Sequence, residues 1–261
     1  MQPKPVHLHA AYAAQFEDEC IAASYHTRPP YPPELFDILE GLLPPGKRRV
    51  LDLGCGTGDV ALGLVGRVEA LDAVECSAAM LRVAGTRPHA RDTRLRWTLS
   101  SAEAFTFDGP YSLVVAAESL HWMDWSSVLP RIARSLEPAA HLALVSGRRF
   151  AQLPWATQLL PILAEYSTNR DYRPYDLVAE LTHRRLFREL GQRTTEPVPF
   201  TQSLDDYVES FHTRNGFSRQ RMTRVAAQAF DRAVRQLVLR HQPRGIVQGA
   251  TTASVTWGLP V

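Results

Sequence analysis

Between Arg48 and Gly147 short aliphatic and β-branched runs alternate with stretches whose apolar residues recur at helical spacing. That alternation is the mark of βαβ units in a parallel sheet. The runs Val50 to Leu53, Val68 to Val74, Leu95 to Leu99, Tyr111 to Ala117 and His141 to Ser146 predict five strands. Tyr111 to Ala117 is apolar but for Ser112 and bounded by Gly-Pro and polar residues, which suits a strand buried on both faces. Val60, Ala61, Leu64 and Val65 mark a helix after the first strand, and Ser77 caps a second helix through Met80, Leu81 and Ala84. A third carries Val128, Leu129, Ile132, Ala133 and Leu136, with Pro138 as its stop.

Before this core, Ser24 to Gly46 is dense in proline and aromatics and contains a short helix, Glu34 to Leu43. After Gly147 the alternation breaks down. Leu177 to Leu190 has helical spacing, and Arg193 to Phe200 reads as a sixth strand that Pro197 and Pro199 confine to an edge. Ser203 and Asp206 open a helix with a capping-box pattern, Ser218 caps a longer one through Met222, Val225, Phe230, Val234 and Leu237, and Gly245 to Trp257 is a closing strand. The helical material between the last two strands exceeds what a connection needs. The expected organisation is one domain over 1–261: a cap (1–46), a ligand-binding core (47–150), and a substrate lid with the last strands (151–261).

Composition narrows the classes. At 45% hydrophobic and 21% charged, 261 residues suffice for a sizeable core. Twenty-nine basic against 27 acidic residues leave a formal charge of +2, too even for a nucleic-acid-binding surface. Cys20, Cys55 and Cys76 are too few and too scattered for a disulfide framework or a cysteine-rich metal site. The chain shows neither a secretory signal nor an apolar run long enough for a membrane span, so the expectation is a cytoplasmic protein with no membrane, metal or nucleic-acid partner.

The chemistry concentrates in VLDLGCGTGD, Val50 to Asp59. Gly54, Gly56 and Gly58 allow a tight turn and close backbone approach by a ligand, ahead of a helix whose first N–H groups are uncommitted. Gly56, Gly58 and Ala61 fit the dinucleotide spacing, which keeps an NAD-dependent reductase as an alternative. Asp52 points elsewhere: a carboxylate there repels a pyrophosphate and suits an amino-bearing or cationic ligand.

The D-x-G-x-G-x-G string resembles the first motif of the class I S-adenosylmethionine-dependent methyltransferases. Asp72 and Glu75 both stand near the end of the second strand, where an acceptor-only side chain would hold the two ribose hydroxyls. The stretch VECSAAMLRVA is similar to the family's strand-end pattern and aligns Glu75, with Cys76 beside it, with that carboxylate. Met80 then leans toward the adenine or is an ordinary core methionine. LSSAEAFTF, Leu99 to Phe107, is similar to the family's next motif, putting Ser101 and Ala102 at the adenine. Ser101 stands where many relatives carry an aspartate, and Glu103 reads as a solvated or capping carboxylate.

AAESLHWMDW, Ala116 to Trp125, together with Tyr25-x-x-Arg28-Pro29-x-Tyr31-Pro32 and the closing Trp257-Gly258-x-Pro260, resembles the trans-aconitate methyltransferase-like branch of the type-11 methyltransferases. The resemblance implies a seven-stranded Rossmann-like sheet, mostly parallel with the last strand antiparallel, and S-adenosylmethionine as cofactor with S-adenosylhomocysteine as product. It also implies a monomer or weak homodimer that methylates a small molecule, in some members an organic acid converted to a methyl ester. Ala117 and Glu118 close the fourth strand at the edge where open α/β sheets bind ligands, so Glu118 is a candidate for holding cofactor or acceptor. His121 is a base for a hydroxyl acceptor, an orienting group for a carboxylate, or a spacer between Trp122 and Trp125. Tyr25 and Arg28 are expected to meet an anionic group of cofactor or acceptor. Among Arg214, Arg219, Arg221 and Arg224, one turned inward would suit an acidic acceptor, the others facing solvent. A cofactor-binding member that does not methylate is the further alternative.

Overall fold

The computed structural model describes residues 4–46, 48–151 and 153–261. Its strands are β1 (Arg49–Leu53), β2 (Ala70–Glu75), β3 (Leu95–Leu99), β4 (Tyr111–Ala117), β5 (Leu136–Ala151), β6 (Phe187–Thr194), β7 (Val198–Ser203) and β8 (Ile246–Pro260). The helices are α1 (Ala10–Ala13), α2 (Glu19–Ser24), α3 (Glu34–Gly41), α4 (Asp59–Leu64), α5 (Ala78–Ala84), α6 (Trp125–Ser135), α7 (Ala156–Tyr166), α8 (Leu177–His183), α9 (Leu204–His212) and α10 (Arg224–His241). The chain divides into two compact units.

One unit, Tyr31–Gly147 with Pro174–Glu196 and Ala253–Val261, carries the sheet in the order β3-β2-β1-β4-β5-β8-β6. Strands β1 to β5 pair in parallel along that path, and β6 runs antiparallel to β8. This is the mostly parallel α/β sheet expected, with eight strands rather than seven because β7 also pairs with β8. From β1 the chain builds outward through β2 to β3, then returns to place β4 on the other side of β1. Such a reversal opens a crevice at the carboxyl ends of β1 and β4. Strand β4 is buried along almost its whole length, as its apolar run requires. One face packs Leu35 and Leu39 of α3 and Ala61 and Leu64 of α4 against Val50, Leu71, Leu113 and Val115.

The other unit, Met1–Pro30 with Arg148–Arg173 and Pro197–Thr252, is mainly helical around Trp155, Tyr207, Phe211 and Phe230, all nearly inaccessible. Trp155 satisfies its buried indole by donating to Tyr207 Oη at 3.1 Å. In this unit β7 pairs antiparallel with Ile246 to Thr251 of β8.

Several boundaries differ from the sequence reading. The segment Leu177 to Leu190 is not one helix: α8 ends at His183, where Arg185 enters the left-handed region at φ 58°. Arg185 N–H donates to Thr182 O and Leu186 N–H to Leu181 O, a Schellman-type ending, and the apolar residues beyond it pair with β8. The sixth strand is two, β6 and β7, interrupted around Glu196 and Pro197. Helix α6 stops at Ser135, before Pro138, because Leu136 already pairs with Tyr111. Thr223 caps α10 through Ala226 N–H, whereas Ser218 donates to Asp18, and Val225 faces solvent.

Candidate active site

The glycine turn is shaped by its surroundings before any ligand is considered. Gly54, Gly56 and Gly58 all have positive φ, at 76°, 56° and 82°, conformations that carry little cost only without a side chain. A Cβ on Gly54 would stand 2.5 Å from Ser119 Cβ, and one on Gly58 would stand 2.5 Å from the Trp97 ring. The turn is hung from β2, since Gly54 and Cys55 both donate to Val74 O, at 2.8 and 3.0 Å.

Asp52 and Glu75 brace the turn from two sides. Asp52 is fully buried in β1; its Oδ2 accepts from Ala61 N–H at 3.0 Å, in the first turn of α4, and no hydrogen-bond partner meets Oδ1 among the described residues. Burial, only partly opposed by the Ala61 bond and reinforced by the negative charges of Glu75 and Asp59, pushes its carboxyl up to about 7. Glu75 closes β2, where Oε2 accepts from Gly56 N–H at 2.9 Å and Oε1 from Ser77 N–H at 2.8 Å and from the Cys76 thiol at 3.3 Å.

Asp72, the competing carboxylate, is occupied differently. It lies within β2 opposite Leu51 and accepts from Arg49 at 2.8 Å, Arg96 at 2.7 Å and Tyr111 Oη at 3.0 Å. Burial pushes its carboxyl up, but those three donors outweigh it and hold it below the usual range. Asp72 is a sheet-stabilising ion-pair node, and Glu75 alone of the two stands beside the turn.

The remaining core candidates gather at the same carboxyl edge. Met80 is 2% exposed, and its N–H donates to Ser77 Oγ, which caps α5. Ser101 opens a turn after β3, its Oγ accepting from Ala104 N–H at 3.2 Å, with Ala102 buried next to it. Glu103 is exposed and accepts from Asp124 N–H at 2.8 Å, the capping role expected. Ala117 is the last residue of β4, and Glu118 follows at φ 53°, an uncommon conformation for a residue with a side chain. Its Oε1 accepts from Gly147 N–H at 2.8 Å, tying the end of β4 to the neighbouring β5. His121 lies in a 3-10 turn, Leu120–Trp122, half-buried with its ring 4.6 Å from that of Trp122.

Ser119 went unmarked in the sequence. Its hydroxyl donates to Leu53 O at 2.6 Å, and its Cβ occupies the space that Gly54 leaves. The only sequence signal is a small hydroxyl residue directly after Glu118.

Tyr25 and Arg28 belong to the helical unit, where they meet each other. Arg28 stacks 4.2 Å over the Tyr25 ring, donates to Tyr25 Oη at 2.9 Å, and grips Thr213 through Oγ1 at 2.9 Å and through its carbonyl. Two of the four arginines singled out in that unit pair with its own carboxylates: Arg219 with Glu209 and Asp231, and Arg221 with Asp18. Arg214 lies over the Phe211 ring and Arg224 is exposed.

Comparison with known proteins gives these features a context. Residues 50–139 match a family model described as a methyltransferase domain. An uncharacterized methyltransferase of Mycobacterium tuberculosis is 33% identical over 193 residues, covering 72% of this chain and 67% of that protein. A trans-aconitate 2-methyltransferase of Pseudomonas paraeruginosa is 35% identical over 114 residues, 42% of this chain and 38% of that one. Among solved structures, a putative type II methyltransferase from Anaeromyxobacter dehalogenans shares the fold at TM-score 0.62 and 21% identity, covering 89% of this chain and 96% of that one. One-third identity sustained over two-thirds of a methyltransferase, on a sheet of this order, leaves a single assignment: the chain belongs to the class I S-adenosylmethionine-dependent methyltransferases.

Proposed function

We propose that the chain transfers the methyl group of S-adenosylmethionine to an oxygen of a small acceptor, with a carboxylate of an organic acid as the leading class and a hydroxyl as the other. The likeness to a trans-aconitate 2-methyltransferase over 114 residues supports the acid. The methyltransferase relatives leave the nicotinamide reductase alternative without support.

The donor set fits the cofactor on one observation above all. Asp52 Oδ1 is a buried oxygen without a hydrogen-bond partner among the described residues, on a carboxyl that burial pushes up to about 7, and a neighbouring ammonium group would restore its charge. Glu75 keeps a lone pair beyond those given to Gly56, Ser77 and the Cys76 thiol, and turning that thiol away frees a second, as a pair of ribose hydroxyls requires. Gly54 and Gly56 let the ligand approach the backbone, Met80, Ser101 and Ala102 take the adenine side, and Cys76 and Ala117 line the edge beside Glu75 and Glu118.

The cofactor supplies an electrophilic methyl on a sulfonium whose charge vanishes on transfer. What remains for the chain is alignment and exclusion of water. Glu118, fixed by Gly147, positions the methionine end or the acceptor. His121 orients a carboxylate by hydrogen bonding, or takes the proton of a hydroxyl acceptor. Arg28, stacked on Tyr25 and donating to its Oη, is the candidate of the helical unit for an anionic group.

The test is transfer of labelled methyl from S-adenosylmethionine across a panel of di- and tricarboxylic acids and small alcohols. A methyl ester releases its label as methanol in mild alkali, whereas ethers and methylamines do not. An alkali-labile product supports the acid, an ether supports the hydroxyl, and label on nitrogen, or cofactor binding with no turnover on any acceptor, overturns the proposal.

A further inference from the structure

We propose that Arg131 is a positioning residue for cofactor recognition, holding the segment after β3 in the shape that presents its backbone to the adenine ring. The proposal rests on the site reading above, and it concerns a residue on α6 that lies outside every motif.

The turn Ser101 to Phe105 meets two of its donors, Ala104 and Phe105 N–H, internally. Ala104 N–H meets Ser101 O and Oγ, and Phe105 N–H donates to Ser101 O at 2.9 Å. Its carbonyls need acceptor duty elsewhere, and a single side chain provides the donors. Arg131 Nη1 donates to Glu103 O at 2.6 Å and Ala102 O at 3.3 Å, while Nη2 donates to Phe105 O. Because the guanidinium is planar and its N–H directions are fixed, three carbonyls held by one fork cannot turn independently. The same group lies 4.8 Å over the Phe107 ring, which packs edge-on against buried Phe105 at 5.2 Å.

Two further ties give the clamp its direction. Glu103 accepts from Asp124 N–H, and Asp124 in turn caps α6 through Ser126 N–H, so the turn is docked on the helix that carries Arg131. Upstream, Ser100 N–H donates to Glu75 O at 2.9 Å, connecting the turn to the residue assigned to the ribose. The hydroxyl of Ser101 gives one lone pair to Ala104 N–H, and beside it the main-chain groups of Ser101 and Ala102 are left to read the adenine edge. Main-chain readers discriminate only if they are held still.

The test uses the full chain and binding rather than turnover. S-adenosylhomocysteine and its inosine analogue are titrated by calorimetry into wild type, Arg131→Ala and Arg131→Lys, with hydrogen exchange measured on the ligand-free proteins. Loss of the fork is expected to weaken S-adenosylhomocysteine about tenfold, the scale of one lost anchoring contact. The preference for adenine over hypoxanthine falls as well, and Arg131→Lys, which keeps the charge but not the fork, fails to restore it. Amides 102–105 exchange faster in both variants while those of β1 and β4 keep their protection. Unchanged affinity and preference overturn the proposal, as does an equal loss for both nucleosides accompanied by faster exchange throughout β1 and β4. Glu75→Ala separates the two levels: if it leaves affinity intact, the site reading fails, and if it weakens binding while Arg131→Ala does not, only the role of Arg131 fails.

Discussion

Replacing Gly54 by alanine tests whether the glycine turn is fixed by its protein surroundings. Two costs are legible. Holding a residue with a Cβ at φ 76° costs about 1–2 kcal/mol. The new methyl would stand 2.5 Å from Ser119 Cβ and 3.0 Å from its Oγ, and relieving such overpacking costs a further 1–3 kcal/mol or so. The expected destabilisation is therefore about 2–5 kcal/mol. Ser119→Gly by itself removes the 2.6 Å bond to Leu53 O and adds backbone freedom, for about 1–2.5 kcal/mol. In the double variant the obstructing Cβ is gone, so the overpacking share disappears while the backbone share stays. The two changes should then fall short of additivity by about 1–3 kcal/mol, measured by urea unfolding followed by circular dichroism. Costs that sum within about 0.5 kcal/mol would show that Gly54 and Ser119 do not contest one space, and the steric account of the turn would be wrong.

Asp72→Asn removes the charge shared by Arg49 and Arg96 and should cost about 2–3 kcal/mol, reduced from the fully buried case because both arginines are partly exposed. The carboxyl of Asp72 is held low in the folded state, so its contribution is present above the ordinary aspartate value near 4 and lost as pH falls through the folded value; the asparagine variant should lack that acid limb in a pH series of melting curves. Asp52 has the opposite sign. Its folded value of about 7 lies above the unfolded one near 4, so stability falls as pH rises between them, by about 4 kcal/mol in all. Asp52→Asn, with its amide oxygen still able to accept from Ala61 N–H, should flatten that slope and melt higher than wild type at pH 8 without ligand, yet bind S-adenosylhomocysteine more weakly; a variant that melts lower and binds equally well would contradict both roles.

Much of this architecture was written in periodicity. Strands β3 and β4 fall at the residues read for them, β4 because a strand buried on both faces permits few polar positions, and Ser77 and Ser203 cap their helices as their side chains suggest. The misreadings lie where a distant pairing decides. Leu186 to Leu190 keeps helical spacing, but its partners in β8 are some 70 residues away, and only the left-handed turn at Arg185 diverts the chain toward them. The candidate site divides the same way. The glycines, Asp52 and Glu75 are visible because two short motifs, Val50 to Asp59 and the stretch that opens at Val74, contain the turn and the acids that brace it, whereas Ser119 and Arg131 touch a missing Cβ and main-chain carbonyls, which no side-chain pattern records.

Glu75 holds Gly56 and Ser77 through both oxygens of its own carboxylate. Under the proposed assignment, little chain entropy is lost on association, and capture of the cofactor should be rapid. The same readiness has a kinetic liability. Spent and fresh cofactor differ by one methyl and one charge at the far end from the ribose, so a cradle already formed around the nucleoside retains S-adenosylhomocysteine nearly as well. Turnover in a cell would then follow the ratio of the two molecules more closely than the amount of either, and the enzyme would slow wherever the by-product is not cleared.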